Sequence, residues 1–579
     1  PDRSRVGNDV RSEPALRLHN GVDHIRLHTV EIRVLLHVRA ISARINARID
    51  QELNLIDQII TAAEYMANFL NMLDASDIKI ISKAPHSIQH PNERKVVKDY
   101  LFYRLQQMGG DTRTFPYDSI KSKLGGYFNI ENVYSVFNPD NVTDSTQYIL
   151  LVAHYDSRFR QIVRKDTVYS YGAADDGYGL GVIMESVNVA LKYKEQWRQG
   201  IKVLFTDSEE HELDGMVNMG KYNPEVLDNV NFVINVEARG VKGPALLFET
   251  SDNNSKVMEL YKLAKQPHTF SLTSVVYKFM PNDTDFSIVK RYYPGMNFSV
   301  IDNLRYYHTD LDNYSNISLE SIQHYGMAIE PIVHEYLTNG LYGNKDALVA
   351  DSDSVFFTLP LFGMFLFSKT EYMILNIVAL LLAVVVLCFL MNRSGVGCKQ
   401  LMGAIFILLM IAFGSGVIGT AVAYVCSIFY GLKFSITSLA YVGCDNYVAI
   451  VSIVSAIFAT IMIFRSKCKR NRYFPILYMS GCIIVYCLIS LIMYLSLEEN
   501  FFILIPLIVT LVSILLGVFK HFRWVYWLSV GFTVLLGVYF LNVLYIAITF
   551  GSIGVILFLA VLYTSLTYTQ YYVMRQNLI

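Results

Sequence analysis

Two kinds of hydrophobic pattern divide this 579-residue chain. Between residues 75 and 345, short apolar runs of strand length alternate with amphipathic helical stretches. Strand-like runs lie at 148–153, 202–206, 232–236, 245–248, 274–277 and 297–301, and helical patterns at 180–193, 255–264 and 319–336. A further helix is expected over 92–108, where Val96, Val97, Tyr100, Leu101 and Leu105 make one apolar stripe and Gly109-Gly110 ends it. This order predicts an α/β domain with a mixed, largely parallel central sheet flanked by helices. In such sheets ligands bind at the carboxyl ends of the strands.

From about residue 372 the pattern changes. Segments at 372–391, 401–425, 447–464, 473–495, 501–519, 524–546 and 551–571 are each apolar over about the length that crosses a bilayer. Residues 372–579 are therefore expected to form an all-α transmembrane bundle of about seven helices, making the chain a multi-pass integral membrane protein with the lipid bilayer as a partner. The stretch 346–371 reads as an interfacial linker, because its apolar run 355–367 is interrupted by Pro360 and Gly363.

Lysine and arginine gather in alternate loops: Arg393 and Lys399, then Arg465, Lys467, Lys469, Arg470 and Arg472, then Lys520 and Arg523. The only basic residue in the intervening loops is Lys433, and one of them carries Glu498-Glu499. Because basic residues accumulate on the cytoplasmic side, everything before residue 372 is expected on the non-cytoplasmic side.

The first residues fit neither pattern. Residues 1–50 are rich in arginine and histidine and lack lysine, and His19, His24, His28 and His37 share no metal-ligand spacing. Residues 51–74 suggest an amphipathic helix too polar to span a bilayer. With no apolar run long enough to export the first domain, residues 1–50 are expected to be a disordered or misassigned leader.

Composition adds exclusions. A formal net charge of -1 gives no reason to expect nucleic acid as a partner, and nothing fixes an oligomeric state. All seven cysteines lie at or beyond Cys388, so the first domain must fold by core burial without disulfides. That absence, with lysine-, isoleucine- and tyrosine-rich usage, points to a bacterial plasma membrane, the endoplasmic reticulum or a vacuolar membrane being the alternative.

Candidate chemistry clusters at the ends of the expected strands. His154-Tyr155-Asp156 closes the first, where a histidine can ligate metal with a carboxylate orienting its ring, although a surface histidine reads the same. Gly172-Ala173-Ala174-Asp175-Asp176-Gly177-Tyr178-Gly179 suits either a helix cap with a tight turn or a carboxylate bridging two metals. After the strand at 202–206 come Glu209-Glu210-His211-Glu212, of which one glutamate can ligate while its neighbour acts as a base. Gly215 stands where a second histidine would be needed for the helical metalloprotease signature, so that reading fails. Glu237 ends a further strand, and Tyr306-Tyr307-His308-Thr309-Asp310-Leu311-Asp312 follows the last.

Taken together, the motifs HxD, GAADDGxG, FTDSEExxLxG, NxEARG, NDTDF and YHTDLD resemble the zinc-dependent exopeptidase family of bacterial leucyl aminopeptidases and glutamate carboxypeptidase. Within it the likeness is to the membrane-embedded branch of endoplasmic reticulum metallopeptidases and fungal vacuolar membrane proteases. The motifs lie within 75–345, which the resemblance makes a two-zinc peptidase domain. It implies two zinc ions per chain, one on His154, Asp175 and Glu237 and the other on Asp175, Glu210 and His308, with Asp175 bridging. Glu209 would be the general base for a bridging water, and Asp156 would support His154. Asn282, Asp285 and Tyr307 would contact a peptide substrate, although 282–286 reads equally as a turn capping the next helix. Tyr178, Glu212 and Met216 depart from the family pattern without touching a ligand position, which bears on pocket shape. The implied activity is peptide hydrolysis by an aminopeptidase; the competing expectations are a metal-free receptor or scaffold and the accessory ectodomain of a transporter.

Overall fold

The computed structural model describes residues 75–163, 166–278, 282–395, 397–436, 444–517 and 524–576. The expected leader and the amphipathic segment at 51–74 lie outside the described residues.

The strands are β1 (Asp111–Lys121), β2 (Tyr127–Phe137), β3 (Tyr148–His154), the small pair β4 (Gln161–Val163) and β5 (Asp166–Val168), β6 (Gly200–Thr206), β7 (Val230–Ala238), β8 (Leu246–Thr250), β9 (Gly295–Val300), β10 (Ser354–Leu359) and β11 (Gly363–Ser368). Among the described residues, seven of them form one mixed sheet in the order β1-β2-β6-β3-β7-β9-β8. The middle strands β6, β3, β7 and β9 run parallel, and the two edges are antiparallel. The central strands read as unbroken apolar runs because helices cover both faces, and β3, β6 and β7 are buried at every position.

Register then sets the site. His154 pairs with Thr206 and Glu237 with Ser299 in parallel ladders, so the carboxyl ends of β3, β6, β7 and β9 lie along one edge. The Gly177–Leu191 helix starts there, capped by Asp176, which accepts from Gly179 N at 3.0 Å. The Leu319–Thr338 helix, capped by Ser318, packs against it.

Two expectations need correction. The run at 274–277 is not a strand but the end of the Ser271–Tyr277 helix. It covers the edge strand β8, where Thr273 and Ser274 hydroxyls donate to Phe248 O at 3.0 and 3.1 Å, and Val275-Val276 alone mimicked a strand. The strands β1 and β2 had no counterpart in the expected elements. Most of β1 faces solvent, so its apolar alternation is too weak to read.

A helix occupies each of the seven apolar segments: Lys369–Ser394, Cys398–Phe429, Asp445–Arg470, Phe474–Leu497, Phe501–Gly517, Trp524–Ile548 and Ile553–Arg575. Among the described residues six are long and apolar enough to cross a membrane; Phe501–Gly517 has 17 residues and adjoins residues outside the description. Ser368 and Glu371 form a capping box at the first of them. The run at 355–367 folds as the β10–β11 hairpin, whose Phe357 stacks on Phe501 at 4.7 Å. Phe270, Phe357, Phe501, Phe540 and Tyr563 belong to one apolar cluster, so the sheet domain and the bundle share a core.

Candidate active site

His154 is the last residue of β3 and is buried. Its Nδ1 bonds to the backbone carbonyl of Asp156 at 2.9 Å, and the Asp156 carboxylate stands 3.5 Å away. The ring is thus oriented mainly by the backbone of Asp156. The Asp156 carboxylate instead accepts from Glu209 N at 2.9 Å, fixing the start of the Glu209–Glu212 helix. The other ring nitrogen of His154 faces Asp175 Oδ1 at 3.2 Å and Glu237 Oε2 at 3.5 Å.

On the far side of Asp175, His308 Nε2 lies 3.3 Å from Asp175 Oδ2 and 3.0 Å from Glu210 Oε1. Two sets, His154/Asp175/Glu237 and Asp175/Glu210/His308, each place their ligand atoms within 4.8 Å of one another, and Asp175 belongs to both. All five residues expected as ligands are therefore brought together.

Whether these groups suit a metal can be judged from their bonding. Asp175 Oδ2, Glu210 Oε1 and His308 Nε2 are buried and converge on one another, yet none of the three makes a well-formed hydrogen bond. Polar atoms buried in this way are costly unless something pairs with them. Around them Asp156, Asp175, Asp176, Glu210 and Glu237 are all buried carboxylates. A pair of divalent cations on imidazole and carboxylate ligands fits both the orphaned atoms and the excess negative charge.

The protonation tendencies agree. Burial raises the carboxyl groups of Glu209 and Asp176, and for each the charge of Glu237 adds to the effect. Burial would lower His154, but Asp156, Asp175 and Glu237 outweigh it and raise its affinity for a proton. Burial likewise opposes ionisation of Glu210, yet His308 and Arg158 hold it well below the usual carboxylate range.

Several supporting residues carried no role in the sequence reading. Arg158 donates from Nη1 to Glu210 O at 2.7 Å and to Glu210 Oε2 at 3.0 Å. Asn235 donates to Glu237 Oε1 at 3.1 Å. Asp312 accepts from Ala174 N at 2.7 Å, Asp175 N at 3.3 Å and Ser170 Oγ at 3.1 Å, so it holds the loop that presents Asp175. Arg158 lies near the motifs and Asn235 and Asp312 lie within them, but nothing in sequence shows that Asp312 caps a loop more than 130 positions earlier.

The ligand groups border a cavity of about 960 Å³ into which Glu209 also opens. Asn282 and Tyr307 line it, and the Tyr307 ring stacks on His308 at 3.6 Å. Asp285 does not: it is buried, bonded to Thr206 Oγ1 at the start of the Asp285–Val289 helix, and the capping turn is the role the structure gives to its segment.

Residues 132–333 match the model of Peptidase family M28. Endoplasmic reticulum metallopeptidase 1 of Mus musculus is 26% identical over 310 residues, 53% of this chain and 30% of that protein. The vacuolar membrane protease of Candida glabrata is also 26% identical over 310 residues, 49% of this chain and 30% of that protein. The chain thus spans about a third of the length of these curated relatives. A leucine aminopeptidase precursor from Bacteroides thetaiotaomicron superposes with a TM-score of 0.36 at 18% identity, covering 45% of this chain and 97% of that one. The chain carries a peptidase family M28 domain, followed by helices long and apolar enough to cross a membrane.

Proposed function

We propose that this chain is a membrane-bound, two-zinc metallopeptidase that removes residues from the amino end of peptides. The observation that carries the reading is the pair of ligand sets sharing Asp175, with Glu209 opening into the same cavity. Zinc ions held by His154, Asp175, Glu237, Glu210 and His308 would supply Lewis acidity, polarising the scissile carbonyl and lowering the pKa of water. Glu209 takes the proton of the attacking water and returns it to the leaving amine. Asp156 acts through others: it fixes the Glu209 amide and the His154 ring. Arg158 holds Glu210 in its ligand orientation, and Asn235 does the same for Glu237. Asn282 and Tyr307 are placed to contact substrate, whereas Asp285 supports the floor of the sheet edge.

Convergence of every ligand position weighs against a metal-free receptor or scaffold. The loop charges support a peptidase domain on the non-cytoplasmic side. Relatives named for the endoplasmic reticulum and the vacuolar membrane support one of those membranes over a bacterial plasma membrane.

The test is hydrolysis of short peptides by the purified protein and by Glu209→Gln, with metal content measured on both. Loss of about 10³-fold in rate with zinc retained is expected. Equal rates in the two proteins would remove the mechanism.

A further inference from the structure

The cavity beside the ligand groups has a second wall, and the membrane helices build it. Phe540, Val543, Leu544 and Ala547 line it from the last turns of the Trp524–Ile548 helix. Positions three, four and seven residues apart lie on one helix face, so these four side chains form a single apolar stripe turned toward the site. Phe501 and Tyr563, from the two neighbouring helices, extend the surface.

Arg239 joins this wall to the chemistry. It stands two residues beyond the ligand Glu237, and its Nη1 donates to Ala547 O at 3.5 Å. Ala547 belongs to the last helical turn, whose carbonyls have no partner within the helix, so a guanidinium there satisfies one of them and complements the helix dipole. The end of the membrane helix is thereby fixed relative to the carboxyl end of β7.

Close packing is the rule in protein interiors, and an apolar hollow forfeits both contacts and burial. Here Phe540 is buried in the shared core, whereas Val543 and Leu544, one helical turn on, remain half-exposed where they meet the cavity. A hollow lined by aliphatic and aromatic groups with a few polar groups at one end is the usual form of a site that seats an apolar ligand.

We propose that the transmembrane bundle is the specificity wall of the peptidase, and that its substrates are peptides with a large apolar side chain at the residue adjoining the cleaved bond. The inference rests on the peptidase reading and deepens it. The scissile bond lies against the carboxylate wall, and the apolar side chain lies against Val543 and Leu544. The bundle is then part of the substrate site as well as the anchor.

The experiment uses the full chain in lipid nanodiscs with the dipeptides Ala-Ala, Phe-Ala and Ala-Phe, which place the large group on either side of the bond. The wild type should cleave one of the phenylalanine peptides with kcat/KM about 100-fold above Ala-Ala. Leu544→Trp, which fills the hollow, and Val543→Thr, which keeps its shape but adds a hydroxyl, should each reduce that ratio about tenfold. A wild-type ratio near one, or a ratio unmoved by both variants, overturns the proposal. Binding of phenylalanine hydroxamate and alanine hydroxamate to Glu209→Gln, measured by calorimetry, gives a readout that needs no turnover. A preference for the phenylalanine compound that Leu544→Trp abolishes supports the wall, and equal affinities overturn it. Failure of the peptidase reading looks different: no dipeptide is cleaved and neither hydroxamate binds, and both conclusions then fall.

Discussion

Two of the buried polar clusters among the described residues differ in how completely their atoms are paired. At the boundary between the sheet domain and the bundle, Asn500 Nδ2 donates to Asn376 Oδ1 at 2.7 Å, to Ser490 O at 2.9 Å and to Ser490 Oγ at 2.8 Å. Its Oδ1 accepts from Tyr372 OH at 2.6 Å. Every polar end of Asn500 is met. At the strand ends, by contrast, Asp156 Oδ2 makes no hydrogen bond, and Asp175 Oδ2, Glu210 Oε1 and His308 Nε2 meet only one another, without a well-formed hydrogen bond. A satisfied network fixes geometry, whereas a convergent, unsatisfied one reserves its bonding for something else. The same chemistry of burial therefore separates a structural joint from the proposed metal site.

The sharpest way to break this comparison is to remove one group from each cluster and measure stability without metal. Asn500→Ala strands Tyr372 and Asn376 as unpaired buried groups and should cost about 3 kcal/mol in chemical denaturation. Asp175→Asn removes one charge from a crowd of buried carboxylates, which offsets the weakening of its contacts with His154 and His308, so it should cost under about 1 kcal/mol in the metal-free protein. Equal losses in the two variants would show that the clusters do not differ in kind.

A smaller effect is expected at the support of the open cluster. Asp312→Asn exchanges an acceptor for a donor facing the amides of Ala174 and Asp175. Metal affinity, followed by competition with a chelator, should weaken about 10- to 100-fold while the fold is retained. No change would mean that the loop is held by other contacts.

A pH-dependent effect concerns Glu499, beside the closed cluster, which accepts a hydrogen bond from Ser271 Oγ. Burial pushes its carboxyl up to about 8. A group that is more readily protonated in the folded state stabilises at low pH and loses that contribution as pH rises through its folded value. Thermal stability should therefore fall between about pH 5 and pH 8, by at most about 1.4 kcal/mol per pH unit, and Glu499→Gln should flatten the profile. An unchanged slope in the variant would assign the pH dependence to other groups.

How much of this was legible in the sequence follows from where each signal resides. The central strands declare themselves because burial on both faces favours apolar runs, as at β3 and at residues 232–234 of β7. Four of the five expected ligands close or follow such strands and the fifth, Asp175, lies in the loop before the Gly177–Leu191 helix, but it was the resemblance to the exopeptidase motifs that implied the set. Edge elements were not: β1 is largely exposed, and the Ser271–Tyr277 helix contains a short β-branched run that suits either state. Asp285 looked like a pocket residue because its motif is polar, but its partner Thr206 lies beneath the site. Asp312 and the apolar wall escaped for a common reason. Hydrophobicity along the Trp524–Ile548 helix does not distinguish a face turned to lipid from one turned to a cavity, and a carboxylate does not announce which distant amides it will cap.

The central claim is that one aspartate joins two ligand sets into a single binuclear centre. Anomalous diffraction at the zinc edge, on crystals of the full chain grown with zinc, tests it most directly. Two peaks are predicted, one among His154, Asp175 and Glu237 and the other among Asp175, Glu210 and His308. A single peak, or zinc bound away from Asp175, would contradict the account.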